Sequence, residues 1–191
     1  MEPLFQFLQQ ISPLQAATLE ALRPLFRRIE LPSQDFFARS GEYSKQIGFL
    51  ETGIMRAFFL SEAGKEYNKQ FFMAPTLVGA YTSLLAGQPN QVAQQALQPC
   101  IIWAASFEKV TALYDQYHDL ERLGRKIAEA YFLEKEKKEI EMALLEAEHR
   151  YKIMQEEFPL LEVQIPQYHI ASYLGITPTQ LSRVRKKLAT R

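Results

Sequence analysis

The residues best suited to chemistry lie at the end of the sequence, which reads IPQYHIASYLGITPTQLSRVRKKL over 165–188. Thr177, Thr179, Gln180, Arg183, Lys186 and Lys187 crowd into this segment. Hydroxyl, amide and guanidinium groups can meet base edges in a major groove, and flanking cations neutralise phosphates. The expected chemistry is therefore recognition of double-stranded DNA. Arg183, Gln180 and Thr179 are expected at bases, while Thr177, Lys186 and Lys187 suit phosphates.

Such groups work only if one helical face presents them. Leu181, Val184 and Leu188 recur at spacings of three and four and would bury the opposite face of a second helix. Pro166 can open a first helix with Ile170, Ala171 and Leu174 turned inward. Gly175 can end it in a left-handed conformation, Ile176 fills the corner, and Thr177-Pro178 restarts the chain as a helix. Ala171 is small where the two helices must approach.

Charge supports a basic end on a balanced chain. Lys+Arg and Asp+Glu both number 22, yet no acidic residue follows Glu162, and Arg183, Arg185, Lys186, Lys187 and Arg191 crowd the last stretch. With 191 residues, 47% of them hydrophobic, the chain can build one large core or two small ones. The lone Cys100 rules out an internal disulfide and the clustered thiolates of an iron–sulfur or structural zinc site. His118, His149 and His169 all lie outside the strand-rich block, so no metal cage is expected. No glycine-rich phosphate loop, nucleophile elbow or metalloprotease motif occurs, and no enzyme activity is expected. Lacking a basic start followed by an apolar run, and any run long enough to span a bilayer, the chain reads as cytoplasmic with no membrane partner.

Stepping along the chain, the first ~24 residues suggest short helices, with Ser12-Pro13 as a helix start. From Leu25 to Ser106 short apolar runs such as Ile47–Leu50 and Met55–Leu60 alternate with Glu51-Thr52-Gly53 and Ser61-Glu62-Ala63-Gly64, turn signals at hairpin spacing that predict a sandwich or barrel. From Phe107 helix formers dominate. Residues 119–145 predict one long helix carrying Leu120, Leu123, Ile127, Ala130, Tyr131, Ile140 and Leu144 around a charged middle at 134–139, a pattern that suits an imperfect coiled-coil homodimer. The expected divisions are 1–118, a β domain with N-terminal helices; 119–145, a dimerisation helix; and 146–191, a helix-turn-helix.

Taken together, Phe49–Arg56 (FLETGIMR), Gly64-Lys65-Glu66, Ala147–Tyr151 (AEHRY) and Ile170–Thr177 (IASYLGIT) make the sequence resemble the Crp/Fnr family of transcription regulators over nearly its full length. The resemblance implies an α+β fold: an N-terminal β-roll, a jelly roll like the cyclic-nucleotide-binding domain, then a long central dimerisation helix and a C-terminal winged helix-turn-helix. It implies a dimer reading a near-palindromic site. The sequence departs from the family at the ligand cassette, where Ala80 stands at the glutamate position and Asn90-Gln91 at the Arg-Ser pair that holds the cyclic phosphate. A buried phosphate without its guanidinium would be poorly compensated, so cyclic AMP is not expected and no cofactor is implied. On the second helix the family's Arg-Glu pair falls on Pro178-Thr179, while Arg183 is retained. Two possibilities stay open, a different small-molecule effector or none. An effector would sit near Phe72, Gly79, Ala80, Tyr81, Asn90, Gln91 and Trp103. RNA polymerase is a further partner left open, and the competing class is a cupin-like ligand-binding β-roll whose main task is not DNA binding.

Overall fold

The computed structural model describes residues 1–61 and 64–189; Glu62 and Ala63 of the second turn signal and Arg191 of the basic end lie outside the described residues. The chain opens with α1 (Glu2–Ile11), α2 (Ala16–Leu22) and a 3-10 turn over Arg23–Leu25. Pro3 sits in the first turn of α1, and Leu4, Phe5 and Leu8 bury one face. The helix start expected at Ser12-Pro13 is instead a helix end. Ser12 donates its N–H to Leu8 O at 3.1 Å and is extended, with φ −154° and ψ 132°, which is the conformation a following proline imposes.

Eight strands follow: β1 (Arg27–Leu31), β2 (Phe36–Ala38), β3 (Gln46–Thr52), β4 (Ile54–Leu60), β5 (Glu66–Met73), β6 (Thr76–Val78), β7 (Ala93–Ala96) and β8 (Cys100–Ser106), with the short helix α3 (Tyr81–Ala86) between β6 and β7. They form two four-stranded sheets, ordered β1-β8-β3-β6 and β2-β7-β4-β5. The two turn signals therefore do different work. At the second turn signal the flanking strands β4 and β5 are sheet neighbours, and Ser61 N–H donates to Lys65 O at 2.9 Å. Glu51-Thr52-Gly53, expected as a hairpin turn, carries the chain from one sheet to the other. Gly53 has φ +99°, and a Cβ there would stand 2.6 Å from both Cys100 Sγ and Pro99 O, so only glycine suits this corner.

Buried residues of both sheets, including Leu50, Met55, Phe72, Ala96, Ile102 and Ala104, share one cluster, which places the sheets face to face. The alternate residues Phe49 and Ala105, with the partly buried Trp103, point the other way, into a second cluster with Leu4, Phe5, Leu8 and Leu22. The sole cysteine, Cys100, is buried in the inter-sheet cluster, lies 3.1 Å from Gln98 O, and has its thiol pKa pushed up to about 11 by burial.

The remaining chain is helical: α4 (Phe107–Thr111), α5 (His118–Leu144), α6 (Ala147–Glu157), α7 (Leu161–Gln164), α8 (Gln167–Tyr173) and α9 (Pro178–Ala189). Among the described residues no strand follows Ser106, so the wing implied by the resemblance is not among them. No helix of the described residues is long and apolar enough to cross a membrane. Two compact units emerge, Met1–Ala57 with Phe71–Leu133, and Phe58–Gln70 with Glu134–Arg191. In the first, Asp119 at the head of α5 accepts the Gln15 N–H at 2.7 Å and the Thr18 hydroxyl at 2.8 Å, tying α5 to α2.

Candidate nucleic-acid interface

The residues expected at DNA from the sequence belong to the second unit. Helix α8 buries His169, Ile170, Ala171 and Tyr173. It ends in a Schellman motif: Ile176 N–H reaches Ala171 O at 3.0 Å, Gly175 N–H reaches Ser172 O at 3.2 Å, and Gly175 takes φ +69°. Pro178 then occupies the first position of α9. Thr177 caps that helix reciprocally. Its hydroxyl accepts the Gln180 N–H at 3.2 Å, and its own N–H donates to Gln180 Oε1 at 2.8 Å. This is a capping box, and Thr-x-x-Gln is its sequence signature. The signal stood in the sequence and was missed there, where Gln180 was read only as a base contact.

Leu181 is 1% exposed and anchors α9, with Val184 and Leu188 half-buried beside it. Thr177, Thr179, Gln180, Arg183, Lys186 and Lys187 are all exposed. They share a helix but not a chemical state. Arg183 has no hydrogen bond or ion pair among the described residues. Lys187 pairs with Glu148. Arg185, which adds to the basic end, donates to Gln167 Oε1 at 2.8 Å and stands 3.8 Å from Glu162.

Three supports of the helix pair were not read as contacts from sequence, although Arg150 and Tyr151 stand in the AEHRY segment. Arg150 of α6 donates to Leu174 O at 2.9 Å and to Leu145 O at 2.7 Å, satisfying carbonyls left over at the ends of α8 and α5. Tyr151 donates to Glu162 Oε1 at 2.7 Å, and burial, reinforced by that carboxylate, pushes its pKa up to about 12. The β4–β5 hairpin grips α8. Asn68, 6% exposed, gives its amide to His169 O at 2.9 Å, its N–H meets Ser172 Oγ at 3.0 Å, and Ser172 donates to Glu66 O at 3.0 Å. These are non-local contacts, and no short-range pattern announces them.

A denser charged cluster lies where α5, α6 and α8 meet. Buried Glu141 lies 3.3 Å from Lys138 and 3.6 Å from Lys137, and Lys137 also reaches Glu157 at 3.1 Å. Lys138 sits 4.2 Å above the Tyr173 ring, a cation–π contact.

The residues expected around an effector fall apart in the first unit. Phe72 lies in the cluster between the sheets, and Trp103 packs on the cluster beneath the N-terminal helices. Tyr81 meets Phe107 edge to face at 5.9 Å. Gly79 backs onto Ile47, and Ala80 precedes α3 without a capping side chain. Buried Asn90 donates to Arg39 O at 3.4 Å and to Val92 O, and accepts the Val92 N–H at 3.2 Å, whereas Gln91 is exposed. An open hollow of about 270 Å3 on the β2–β3 loop, with Arg39, Glu42, Tyr43 and Lys45 in its lining, includes none of these residues.

No protein-family model matches the sequence, and no curated protein matches it. Solved structures do. FixK2 from Bradyrhizobium japonicum superposes with a TM-score of 0.74 at 16% identity, covering 86% of this chain and 85% of its own. CLP of Xanthomonas campestris, a c-di-GMP-responsive global regulator, gives 0.71 at 18% identity and 92% of both chains. A Eubacterium rectale protein assigned to the Crp/Fnr family gives 0.71 at 11% identity, covering 93% of this chain and 84% of its own. A two-sheet roll, a 27-residue helix and a helical C-terminal unit thus recur in this chain, which has the fold of the Crp/Fnr-type transcription regulators.

Proposed function

We propose that the chain is a cytoplasmic transcription regulator that binds double-stranded DNA as a homodimer, with α8 and α9 as its helix-turn-helix. The observation that carries this reading is α9 itself: a helix anchored by Leu181, fixed at its start by a capping box, and offering an exposed row of polar and cationic side chains. Arg183, Thr179 and the Nε2 donors of Gln180 face base edges, and Thr177, Lys186 and Lys187 meet phosphates. The dimer forms along α5, where Leu133, Ile140 and Leu144 are 65%, 54% and 77% exposed and recur at steps of seven and four.

Cyclic AMP is not the effector in this reading, because Ala80 and Asn90 supply neither the carboxylate nor the guanidinium that the usual contacts require. Selection of binding sites from random duplex DNA tests the proposal. Wild type should enrich a two-fold symmetric site whose affinity falls steeply with salt, and Arg183→Ala should lose that enrichment. A folded dimer that enriches no site at low salt, with or without a metabolite extract, would overturn it.

A further inference from the structure

Beneath the N-terminal helices the first unit holds a partly open apolar cavity of about 70 Å3. Its lining includes Leu4, Leu22, Val110, Tyr114, Leu123 and Ile127, and every lining side chain is hydrocarbon except the phenol of Tyr114. A water held in a protein needs two to four polar partners, and these side chains offer one. The Tyr114 hydroxyl has no hydrogen-bond partner among the described residues. Burial raises its pKa, so it is a neutral donor. Gly124, inside α5 where glycine is a poor helix former, also lines the cavity, and a Cβ there would collide with that hydroxyl. The glycine thus seats the phenol against α5.

We propose that this cavity binds a small neutral molecule with an apolar body and one hydrogen-bond acceptor, the acceptor meeting Tyr114. Scaled from the cavity of about 150 Å3 that holds benzene, its volume suits an apolar body of roughly three heavy atoms. None of the residues expected around a cassette ligand lines it, so it is a different site from the one the resemblance implies. Leu120, Leu123 and Ile127 of α5 form part of its wall. Occupancy is therefore linked to the packing of α5 against α1 and α2. Binding here does not depend on the DNA-binding reading.

The test is methyl NMR of the full chain titrated separately with acetone, which carries an acceptor, and with xenon, which carries none. Saturable shifts at Leu4, Val110 and Leu123 are expected for both probes. Tyr114→Phe should weaken acetone about fivefold, the worth of one neutral hydrogen bond, and leave xenon unchanged. Ile127→Phe, at a half-buried position, should fill the space and abolish both. Shifts that never saturate, shifts that saturate equally in Ile127→Phe, or equal weakening of both probes in Tyr114→Phe would each overturn the proposal. If Ile127→Phe does not fold, the acetone-to-xenon split in Tyr114→Phe decides.

Discussion

Two short helices that resemblance would place at ligand sites, α3 and α9, handle their polar groups in opposite ways. Around α3 the side chains of Ser83 and Asn90 turn inward. Ser83 accepts the Ser44 N–H at 3.2 Å and donates to Gln88 O at 2.6 Å, and Asn90 is committed to Arg39 and Val92. Around α9 the capping box closes only the helix start, Arg185 and Lys187 pair with Gln167 and Glu148, and Thr179 and Arg183 stay exposed. A polar residue at a family ligand position is thus no evidence of a ligand until its hydrogen bonds are traced. At 79–92 they close a loop; at 177–187 they leave a surface that can still be recognised.

That contrast can be broken by substitution. The largest effect on stability is expected at Asn90→Ala, which strips part-buried backbone groups of Arg39 and Val92 of their partner and should cost about 2 kcal/mol in urea unfolding, with little change in DNA affinity of the folded protein. Unchanged stability would mean that the 79–92 loop is not self-satisfied. Arg183→Ala is the mirror case, with stability within about 0.5 kcal/mol of wild type but operator affinity lowered about 10- to 100-fold in a binding titration. Thr177→Ala should cost about 1 kcal/mol through loss of the cap and speed amide exchange in the first turn of α9, while Thr177→Ser and Gln180→Glu preserve protection. Equal exchange in all three variants would show that the capping box does not hold in solution.

The smallest effect concerns acid. Burial alone would raise the Asp119 pKa, but the Gln15 N–H and Thr18 hydroxyl outweigh it and hold the carboxyl below its ordinary range. A depressed folded-state pKa contributes stability above the unfolded value, near pH 4, and loses it as pH falls through the folded value. Thr18→Val should therefore flatten the acid limb of stability below about pH 4, with little change in shape at neutral pH.

Local patterns were legible where the chain speaks through near neighbours. Gly175, Ile176 and Thr177-Pro178 marked the break between α8 and α9, and the apolar positions of 119–145 marked a helix found at His118–Leu144. Alternation along β8 was also readable, since Ile102 and Trp103 must face opposite sides; grouping Trp103 with Phe72 overlooked it. Ser12-Pro13 misled because Ser-Pro suits a helix start and equally an extended exit. The grip of Asn68 on α8 was invisible because it joins residues 101 positions apart. The β-roll fold was legible only through the combined FLETGIMR and IASYLGIT segments, since strand alternation alone does not specify which sheet a strand joins.

The single cysteine offers a clock. Cys100 lies between the sheets with its thiol pKa near 11, so at neutral pH the folded chain presents almost no thiolate to an alkylating reagent. Labelling must wait for the roll to open. Its rate, measured against that of the denatured chain, reports the population of the open form. Without an introduced probe, the chain carries a readout of how often its two sheets part, and of any ligand that keeps them together.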